Sequence, residues 1–373
     1  MSTKSYDFTI SSLGKAKVPN PIIMGDKHGD VQVDYVRDSD HILFGIEAVM
    51  NEVGRQVPRF EETVELAGPR EKIFFNPKHV HAAIATCGGI CPGLNNVIRS
   101  VVRCFWYRYG VRRISGIQYG YQGLLASSPW PIIPLDPDVV DDIQEKGGTI
   151  LGSARGGGKQ VEEIVDSLER LNVNILVTVG GDGTLRGARD IAEEVGRRGL
   201  KIAVIGIPKT IDNDLSLIQS SFGVDTAVQM AVPVVRGAHV EAKNSIHGIG
   251  LVKVMGRESG FIAANTSLAQ SDVNFCLIPE NPFDLEGPNG FLAHLKKRVL
   301  DRDHAVVLVS EGAGQDLLPE TGEVDASGNP KFHDIGIYLK DEIIKYFKKE
   351  GIEVNLKYID PSYIIRSAPA DAD

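Results

Sequence analysis

The sequence predicts an α/β protein with two parallel-rich sheets, helices on both faces of each sheet, and a cleft between the sheets. Apolar, β-branched runs such as Ile175 to Val179 and Lys201 to Ile207 have the length of buried strands, and segments with a helical apolar period follow them. Strands and helices alternate along most of the chain, which favours parallel sheets. Glycines or polar residues follow the strands, and these positions bind ligands in open α/β sheets.

The alternating units fall into two sets, which indicate two Rossmann-like domains behind an N-terminal extension. The extension covers residues 1–75, carries scattered prolines and has a helical apolar period at residues 41–53. The first domain covers residues 76–222 and the second covers residues 223–366. A cleft between the two sheets would bring the strand-end signatures together.

The composition excludes several classes of protein. A hydrophobic fraction of 42% and a charged fraction of 24% are typical of a globular protein, and a net charge of −9 argues against a nucleic-acid or membrane-surface partner. The four cysteines match neither a zinc pattern nor a disulfide scaffold. Residues 1–12 lack the apolar core of a signal peptide, and no apolar run has transmembrane length. These observations favour a cytoplasmic location.

The most informative motif is Gly-Gly-Asp-Gly-Thr, which follows the strand ending at Val179 and precedes a helical pattern from Leu185 to Arg198. A strand, a glycine turn and a helix N-terminus present backbone N–H groups and a favourable dipole to phosphate. The carboxylate of Asp182 would repel phosphates unless a divalent cation lay between them, and Mg²⁺ joins carboxylates to phosphate oxygens in this way. The motif therefore indicates phosphoryl transfer, although a turn of this kind can also serve only to reverse the chain.

Other strand ends carry similar signals. Gly88 to Asn96 forms a second glycine turn, and Tyr121 follows the next strand, where it either stacks on a nucleotide base or packs inside the protein. The glycine-dense loop from Gly147 to Lys159 includes Arg155, which suits phosphate oxygens. In the second domain, Arg257 lies in a strand-end turn and is a further candidate anion ligand.

Two carboxylates follow the strand that ends at Ile207. Asp212 and Asp214 flank an asparagine in the segment Pro-Lys-Thr-Ile-Asp-Asn-Asp. One carboxylate could take a proton from an attacking hydroxyl, while the other orients a basic side chain or joins the outer shell of a metal. The alternative is an Asx-type turn. The next helix is expected to have Asp225 or Thr226 as its N-cap.

Taken together, the motifs resemble those of the phosphofructokinases over residues 80–366. NAD kinases and diacylglycerol kinases share the glycine turn but lack the later elements, and the N-terminal stretch is most similar to the plant, trypanosomatid and spirochaete branch. The matching segments are GGICPGLNN at Gly88, GSARGG at Gly152, GGDGT at Gly180, PKTIDND at Pro208, MGRESG at Met255, PE at Pro279 and EG at Glu311.

The resemblance implies transfer of a phosphoryl group from ATP, with Mg²⁺, to the 1-hydroxyl of fructose 6-phosphate. It implies that residues 76–222 bind the nucleotide and that residues 223–366 bind the sugar phosphate. The catalytic residues are then Asp212 as the base and Arg155 near the transferred phosphoryl group. Thr210 and Asp214 join them from the loop that contains Asp212. The donor-site positions are Gly88, Tyr121, Arg155, Gly181, Asp182, Gly183 and Thr184, with Asp182 linked to Mg²⁺. The sugar-phosphate positions are Thr210, Asp212, Met255, Gly256, Arg257, Glu311, Lys357, Tyr363 and Arg366.

The phosphoryl donor depends on Gly183 and Lys209. Pyrophosphate-using members of the family carry aspartate at the position of Gly183, where a carboxylate would fill and repel the α-phosphate of a nucleotide. Glycine leaves that space open, whereas Lys209 is the feature that pyrophosphate users share. We therefore expect ATP as donor, with a pyrophosphate-dependent enzyme and a non-catalytic regulatory homologue as alternatives.

The sequence also departs from the family pattern. Gly248 occupies a position where bacterial members have an arginine that reaches a neighbouring subunit, so that contact is absent or replaced. The resemblance implies that residues 367–373 are the truncated start of a segment that returns to the first domain. The resemblance implies a homodimer or homotetramer, in which Lys357 lies where a neighbouring subunit usually supplies an arginine.

Overall fold

The computed structural model describes residues 7–24, 34–43, 63–324 and 330–371. In the N-terminal extension, four short strands form two antiparallel pairs, β1 (Val18–Pro19) with β4 (Lys72–Ile73) and β2 (His41–Leu43) with β3 (Thr63–Glu65). The predicted helix at residues 41–53 is therefore wrong at its first three residues, which form β2. Residues 44–53 lie outside the described residues.

The first large sheet has five strands in the order β7-β6-β5-β8-β9, all parallel except β7. The strands are β5 (His81–Thr86), β6 (Arg113–Ile117), β7 (Ile133–Pro134), β8 (Ile175–Gly180) and β9 (Ala203–Pro208). The helices of this part are α1 (Leu94–Arg103), α2 (Val161–Arg170) and α3 (Asp182–Arg197). Helix α2 was not predicted, although Ile164, Val165 and Leu168 form a buried apolar face.

The second large sheet has four parallel strands in the order β11-β12-β10-β13. The strands are β10 (Gly248–Val254), β11 (Phe275–Leu277), β12 (His304–Ser310) and β13 (Asn355–Ile359). The helices are α4 (Val224–Lys243), α5 (Phe261–Ala269), α6 (Phe291–Arg302), α7 (Ile335–Lys349) and α8 (Ser362–Arg366). Two sheets that are wholly or mostly parallel, with helices packed against them, confirm the predicted α/β fold class.

Short helical turns complete the described structure. A π-helical turn at Cys104–Tyr109 continues α1, and single 3₁₀ turns lie at Pro77–His79, Gly120–Leu124, Ile143–Glu145 and Gln315–Leu317. None of the helices within the described ranges is both long and apolar enough to cross a membrane.

The central strands carry the apolar cores. All residues of β5 and β10 are buried, and β12 packs on both neighbouring strands and on α4, α5 and α6. Strand β9 differs from the expected buried strand because it lies at the edge of its sheet. Its central residues Ile205 and Gly206 are exposed there.

The start of α4 also differs from the prediction. Its N-cap is Gly223, with φ at +89° and no side-chain cap, so Asp225 and Thr226 lie inside the helix. An added Cβ at Gly223 would lie 2.5 Å from Cys91 Sγ and 2.6 Å from the Pro92 carbonyl oxygen. The close approach of the Cys91–Pro92 turn therefore requires glycine at this cap.

Candidate active site

The carboxyl ends of the two large sheets meet at Asp212. This residue follows β9 of the first sheet, and the segment after β10 of the second sheet supplies two hydrogen bonds to it. The Ser259 hydroxyl donates to the Asp212 carbonyl oxygen at 2.5 Å, and the Arg257 backbone N–H donates to Asp212 Oδ2 at 3.4 Å. The structure thus brings the PKTIDND and MGRESG motifs into direct contact, as expected of a cleft between the sheets.

The glycine turn after β8 leads directly into α3. Gly181 is the N-cap and no side chain caps the helix, which leaves its first N–H groups for an anion. An added Cβ at Gly180 would lie 2.2 Å from Thr184 Oγ1, so glycine permits the tight turn. An added Cβ at Gly183 would meet nothing within 4 Å. The turn therefore has open space beside Gly183, where the sequence predicts the nucleotide.

Asp182 lies in the first turn of α3 with its carboxylate exposed, and Oδ2 lies 3.3 Å from Arg186 Nη1. Within the described part of the chain, no group of three or more His, Cys, Asp and Glu side chains could hold a metal ion. A lone exposed carboxylate at a phosphate-binding helix start fits Mg²⁺, which is commonly held by one or two carboxylates together with substrate phosphates and water.

Lys209 joins the two glycine turns of the first sheet. It is buried, and its Nζ donates a hydrogen bond to the Gly89 carbonyl oxygen at 2.6 Å. Its backbone N–H donates to the Gly180 carbonyl oxygen at 3.0 Å. Burial lowers the pKa of Lys209 from its ordinary value. Lys209 therefore holds the turn containing Gly88 beside the turn that begins α3.

Tyr121 is buried, with 2% of its surface exposed, and its hydroxyl donates to the Thr184 carbonyl oxygen at 2.7 Å. Added Cβ atoms at Gly158 and Gly187 would lie 3.2 and 2.9 Å from its ring, so the ring is packed against both glycines. Of the two alternatives given for Tyr121, the structure supports packing inside the protein. Tyr121 therefore positions α3 and the glycine-dense loop beside the predicted donor site. Its ring is buried and does not stack on a nucleotide base, which corrects that alternative.

Arg155 is exposed on the glycine-dense loop, which is fixed beside the Gly88 turn. The Gly88 N–H donates to the Ala154 carbonyl oxygen at 3.0 Å, and the Gln122 amide donates to the Arg155 carbonyl oxygen at 2.8 Å. These backbone contacts place the Arg155 side chain at the border of the donor turn. The expected loop character of this segment is confirmed, since the described residues 147–159 contain no regular helix or strand.

The electrostatics of Asp212 set it apart from the other carboxylates. Its Oδ1 is buried and has no hydrogen-bond partner among the described residues. Burial raises the pKa of Asp212 to about 7, the nearby charges of Asp214 and Glu311 act in the same direction, and the Arg257 N–H opposes them. An unpartnered carboxylate oxygen with a pKa near neutrality suits a general base, because it can accept a proton at physiological pH.

The loop around Asp212 is held by its neighbours. Asn213 has φ at +55°, accepts a hydrogen bond from the Ser221 N–H at 2.8 Å and donates to the Gln219 carbonyl oxygen at 3.2 Å. The Thr210 hydroxyl donates to Asp214 Oδ1 at 2.6 Å and accepts from the Asp212 N–H at 3.2 Å. The side-chain bond to the backbone two residues on is therefore made by Thr210, whereas Asn213, which the sequence analysis did not single out, ties this loop to residues 219–221.

Arg257 lies in the turn after β10 and is held by the segment that precedes α7. Its guanidinium donates to the Pro330 carbonyl oxygen at 2.5 Å and lies 4.5 Å from the centre of the Phe332 ring. Gly256 has φ at +118°, and an added Cβ there would lie 2.3 Å from the Ser259 carbonyl oxygen. The turn therefore requires glycine, and Phe332 is a contact that sequence analysis missed.

Two further residues of the predicted sugar-phosphate group support this turn. The Glu311 N–H donates to the Val254 carbonyl oxygen at 2.9 Å, which places Glu311 beside the end of β10. Met255 is buried in the apolar core around α4 and β12. Met255 therefore anchors the turn after β10 in that core.

The late residues of the predicted site lie on two elements of the second sheet. In α8, Tyr363 is 72% exposed and the Arg366 guanidinium lies 4.4 Å from the centre of its ring. Lys357 is exposed in β13, and no hydrogen bond or ion pair joins it to the predicted site within the described residues. Gly248 is closed to any side chain, since an added Cβ would lie 2.0 Å from the Ala242 carbonyl oxygen.

The fold and the site define an α/β protein with two parallel-rich sheets, a glycine turn at the start of α3, and the carboxylate of Asp212 at the point where the two sheets meet. Comparison with known proteins gives the family. The sequence pattern of the phosphofructokinase family matches residues 81–372, and the chain belongs to this family.

Individual relatives agree with this assignment. The chain is 55% identical to an ATP-dependent 6-phosphofructokinase of Borreliella burgdorferi, over 100% of this chain and 84% of the relative. It is 47% identical to ATP-dependent 6-phosphofructokinase 7 of Arabidopsis thaliana, over 95% and 72% of the two chains. The crystal structure of Pichia pastoris phosphofructokinase in the T-state has the same fold, with a TM-score of 0.61 and 24% identity over 82% of this chain and 31% of that chain. The similarity to a spirochaete and a plant relative confirms the branch that the motifs predicted.

Proposed function

We propose that the protein is an ATP-dependent 6-phosphofructokinase, which transfers the γ-phosphoryl group of ATP to the 1-hydroxyl of fructose 6-phosphate. Family membership and the names of the relatives support the reaction. The observation that supports it most strongly is the buried, unpartnered Oδ1 of Asp212 at the junction of the two sheets. A carboxylate with a pKa of about 7 at that point can accept the proton of an attacking hydroxyl.

In the proposed reaction, the sugar 1-hydroxyl loses its proton to Asp212 Oδ1 as its oxygen forms a bond to the γ-phosphorus. The bond between that phosphorus and the β,γ-bridging oxygen breaks, and the electron pair leaves with ADP. Arg155 stabilises the charge on the transferred group from the donor side. Thr210, which is hydrogen-bonded to Asp214 and to the Asp212 N–H, fixes the orientation of the base.

We propose that the nucleotide lies along the two glycine turns, with its phosphates at the start of α3 and its α-phosphate in the space beside Gly183. Gly88, Gly181 and Thr184 shape the turns. Mg²⁺ is proposed at Asp182, where it would neutralise the negative charge of the phosphates. The open space beside Gly183 and the positive charge of Arg155 suit a nucleoside triphosphate.

The sugar phosphate is proposed to bind across the ends of β10 and β12 and the start of α8. Arg257 and Arg366 supply positive charge for the 6-phosphate, and Tyr363, Glu311 and Gly256 shape the sugar side. Lys357 is proposed to act only across a subunit contact. We propose residues 76–222 and 223–366 as the donor and sugar-phosphate domains.

The pH dependence of the reaction tests the role of Asp212. Its pKa is raised to about 7 in the folded protein, so the carboxylate becomes protonated as the pH falls below that value. We expect kcat/KM for fructose 6-phosphate to be constant above pH 8 and to fall about tenfold per pH unit well below pH 7. Steady-state rates between about pH 5.5 and 9, at saturating ATP, measure this acidic part of the pH profile. A profile that stays flat down to pH 5.5 would contradict the assignment.

We also propose that the chain forms a homodimer or homotetramer. Val240 of α4 and Phe261 and Leu268 of α5 are exposed apolar side chains on two helices that pack against each other. A partly apolar surface of this kind favours a second copy of the chain. Sedimentation equilibrium of the purified protein would show a dimer or tetramer, and a monomer at micromolar concentration would contradict the proposal.

A cytoplasmic location is proposed from the state of the thiols. None of the four cysteines, Cys87, Cys91, Cys104 and Cys276, forms a disulfide bond, and all four lie within the described residues. Proteins of oxidising compartments commonly pair their cysteines, whereas reducing compartments keep thiols free. Fractionation of the source cells would test this location, and recovery in an oxidising compartment would contradict it.

A further inference from the structure

Lys253 is a charged residue in the buried central strand of the second sheet. It lies in β10, and only 9% of its surface is exposed. Its Nζ lies 2.6 Å from Asp334 Oδ2 and 3.0 Å from Asp360 Oδ2. Burial alone would lower the pKa of Lys253, but the hydrogen bonds to the two carboxylates outweigh it and hold that pKa above its usual value. The ammonium group is therefore a fixed charge between two acidic side chains.

Each of these carboxylates also organises the start of a helix. Asp334 is the N-cap of α7, where its Oδ1 accepts hydrogen bonds from the Ile337 N–H and the Tyr358 hydroxyl, both at 3.1 Å. Asp360 Oδ1 accepts from the Ser362 N–H at 3.0 Å and from the Ser362 hydroxyl at 2.6 Å, immediately before α8. Lys253 thereby connects β10 to the starts of α7 and α8.

These connections lead to the cationic residues of the proposed sugar-phosphate site. Arg257 follows Lys253 by four positions, and the segment that ends at Asp334 holds its guanidinium through the Pro330 carbonyl oxygen and the Phe332 ring. Arg366 lies in α8, which begins just after Asp360. One buried ammonium group is thus joined to both segments that fix these two arginines.

We propose that Lys253 is a positioning residue for phosphate recognition. Through Asp334 and Asp360 it holds the segments around Arg257 and Arg366 in place, so that both guanidinium groups are preorganised for the phosphate of the sugar substrate. Preorganisation matters because ordering flexible cationic side chains at the time of binding lowers affinity. The inference rests on the proposed 6-phosphofructokinase function and extends it to a residue that contacts no substrate.

The primary test is Asp360→Asn, which keeps the size of the side chain and an oxygen for Ser362 but removes the charge facing Lys253. We expect KM for fructose 6-phosphate to rise about tenfold, equivalent to about 1.4 kcal/mol of binding free energy. The KM for ATP and kcat should change less than about twofold, since the donor turns lie on the other sheet.

A matched control exists on two helices that pack around the same sheet. Lys296 of α6 and Glu350, directly after α7, form an ion pair with an Nζ to Oε2 distance of 2.5 Å and are each about one third exposed. Neither belongs to the proposed site. Glu350→Gln should leave both KM values unchanged while removing an ion pair of similar geometry.

Lys253→Arg and Lys253→Met extend the test. Arginine keeps the positive charge between the carboxylates and should retain a KM for fructose 6-phosphate closer to that of the unchanged protein. Methionine leaves two acidic groups without their cation and is expected to lower stability, because breaking a buried ion pair is costly. If Lys253→Met does not fold, the comparison of Asp360→Asn with Glu350→Gln decides the question.

Three results would overturn the inference. The first is a KM for fructose 6-phosphate that rises no more in Asp360→Asn than in Glu350→Gln. The second is an equal rise in both KM values, which indicates general loss of stability. The third result applies if the unchanged protein forms no fructose 1,6-bisphosphate, in which case the proposed function fails separately. Calorimetric binding of fructose 6-phosphate then tests the inference. Weaker binding by Asp360→Asn than by the unchanged protein supports it, whereas equal binding by both proteins, or no binding by either, overturns it.

Discussion

Replacing Asp212 with asparagine is expected to lower kcat by roughly 10²- to 10⁴-fold. Asparagine has the same shape, but its amide cannot accept the proton of the sugar hydroxyl. The buried Oδ1 of Asp212 has no partner among the described residues, so the lost interaction is the one made with the substrate. The KM for fructose 6-phosphate should change little, since binding depends mainly on the arginines of the second sheet. Steady-state kinetics at pH 8 measures both constants.

The stability of the same variant provides an internal control. The pKa of Asp212 is about 7 in the folded protein, against an ordinary value of 3.8 for an aspartate. The folded state therefore binds the proton more tightly than the unfolded state, and it loses stability as the pH rises through the window between these values. Asparagine removes that loss, so Asp212→Asn should melt at the same or a higher temperature than the unchanged protein at pH 8.

A neighbouring carboxylate separates the role of the base from a general effect of charge. Asp214 is exposed and accepts a hydrogen bond from Thr210. Asp214→Asn should cause a smaller loss of kcat than Asp212→Asn. Comparable losses in the two variants, or an Asp212→Asn protein that keeps more than about a tenth of the activity, would contradict Asp212 as the base.

Replacing Gly183 with aspartate is expected to lower kcat/KM for ATP by roughly 10²- to 10³-fold, while pyrophosphate use changes far less. The new carboxylate would lie in the space proposed for the α-phosphate, where charge repulsion at a few ångströms is worth several kcal/mol. Gly183 is exposed and an added Cβ there meets nothing within 4 Å, so a side chain can start at this position without a clash. The measurement is kcat/KM with ATP and with pyrophosphate in parallel.

Two controls make this result specific. Gly183→Asn adds the same bulk without the charge and separates steric exclusion from repulsion. Gly196→Asp places a carboxylate in the last turn of the same helix, where an added Cβ also meets nothing within 4 Å, and should not affect either donor. Equal loss with both donors in Gly183→Asp would refute the donor argument.

The sequence predicted the alternation of elements and the strand-end motifs because these features are local. Helix α3 begins within three residues of the expected start. The contact between Asp212 and the Arg257 turn followed from a general rule, since the carboxyl ends of parallel strands line the same cleft. These parts of the fold and site required no knowledge of distant packing.

The differences arise where distant segments decide the local structure. The strand at His41–Leu43 exists because it pairs with Thr63–Glu65, and no periodicity reports such a pairing. Gly223 caps α4 because the Cys91 turn approaches closely. Tyr121 packs inward because two glycines leave room for its ring. None of these close approaches can be read from the local sequence.

One signal was present in the sequence and was missed. Lys253 interrupts the apolar run of β10, and a lysine in a buried strand indicates a buried ionic partner. That reasoning identifies the lysine but not Asp334 and Asp360, which follow it by 81 and 107 positions. The partners become apparent only when the strand order places β13 and the start of α7 beside β10.

The most direct test of the central claim is a coupled assay for fructose 1,6-bisphosphate with the purified 373-residue chain. The assay offers Mg²⁺ and fructose 6-phosphate with either ATP or pyrophosphate. We expect turnover with ATP and little with pyrophosphate. Turnover with pyrophosphate alone would contradict the donor assignment, and folded protein that is inactive with both donors would contradict the catalytic assignment and favour a regulatory homologue.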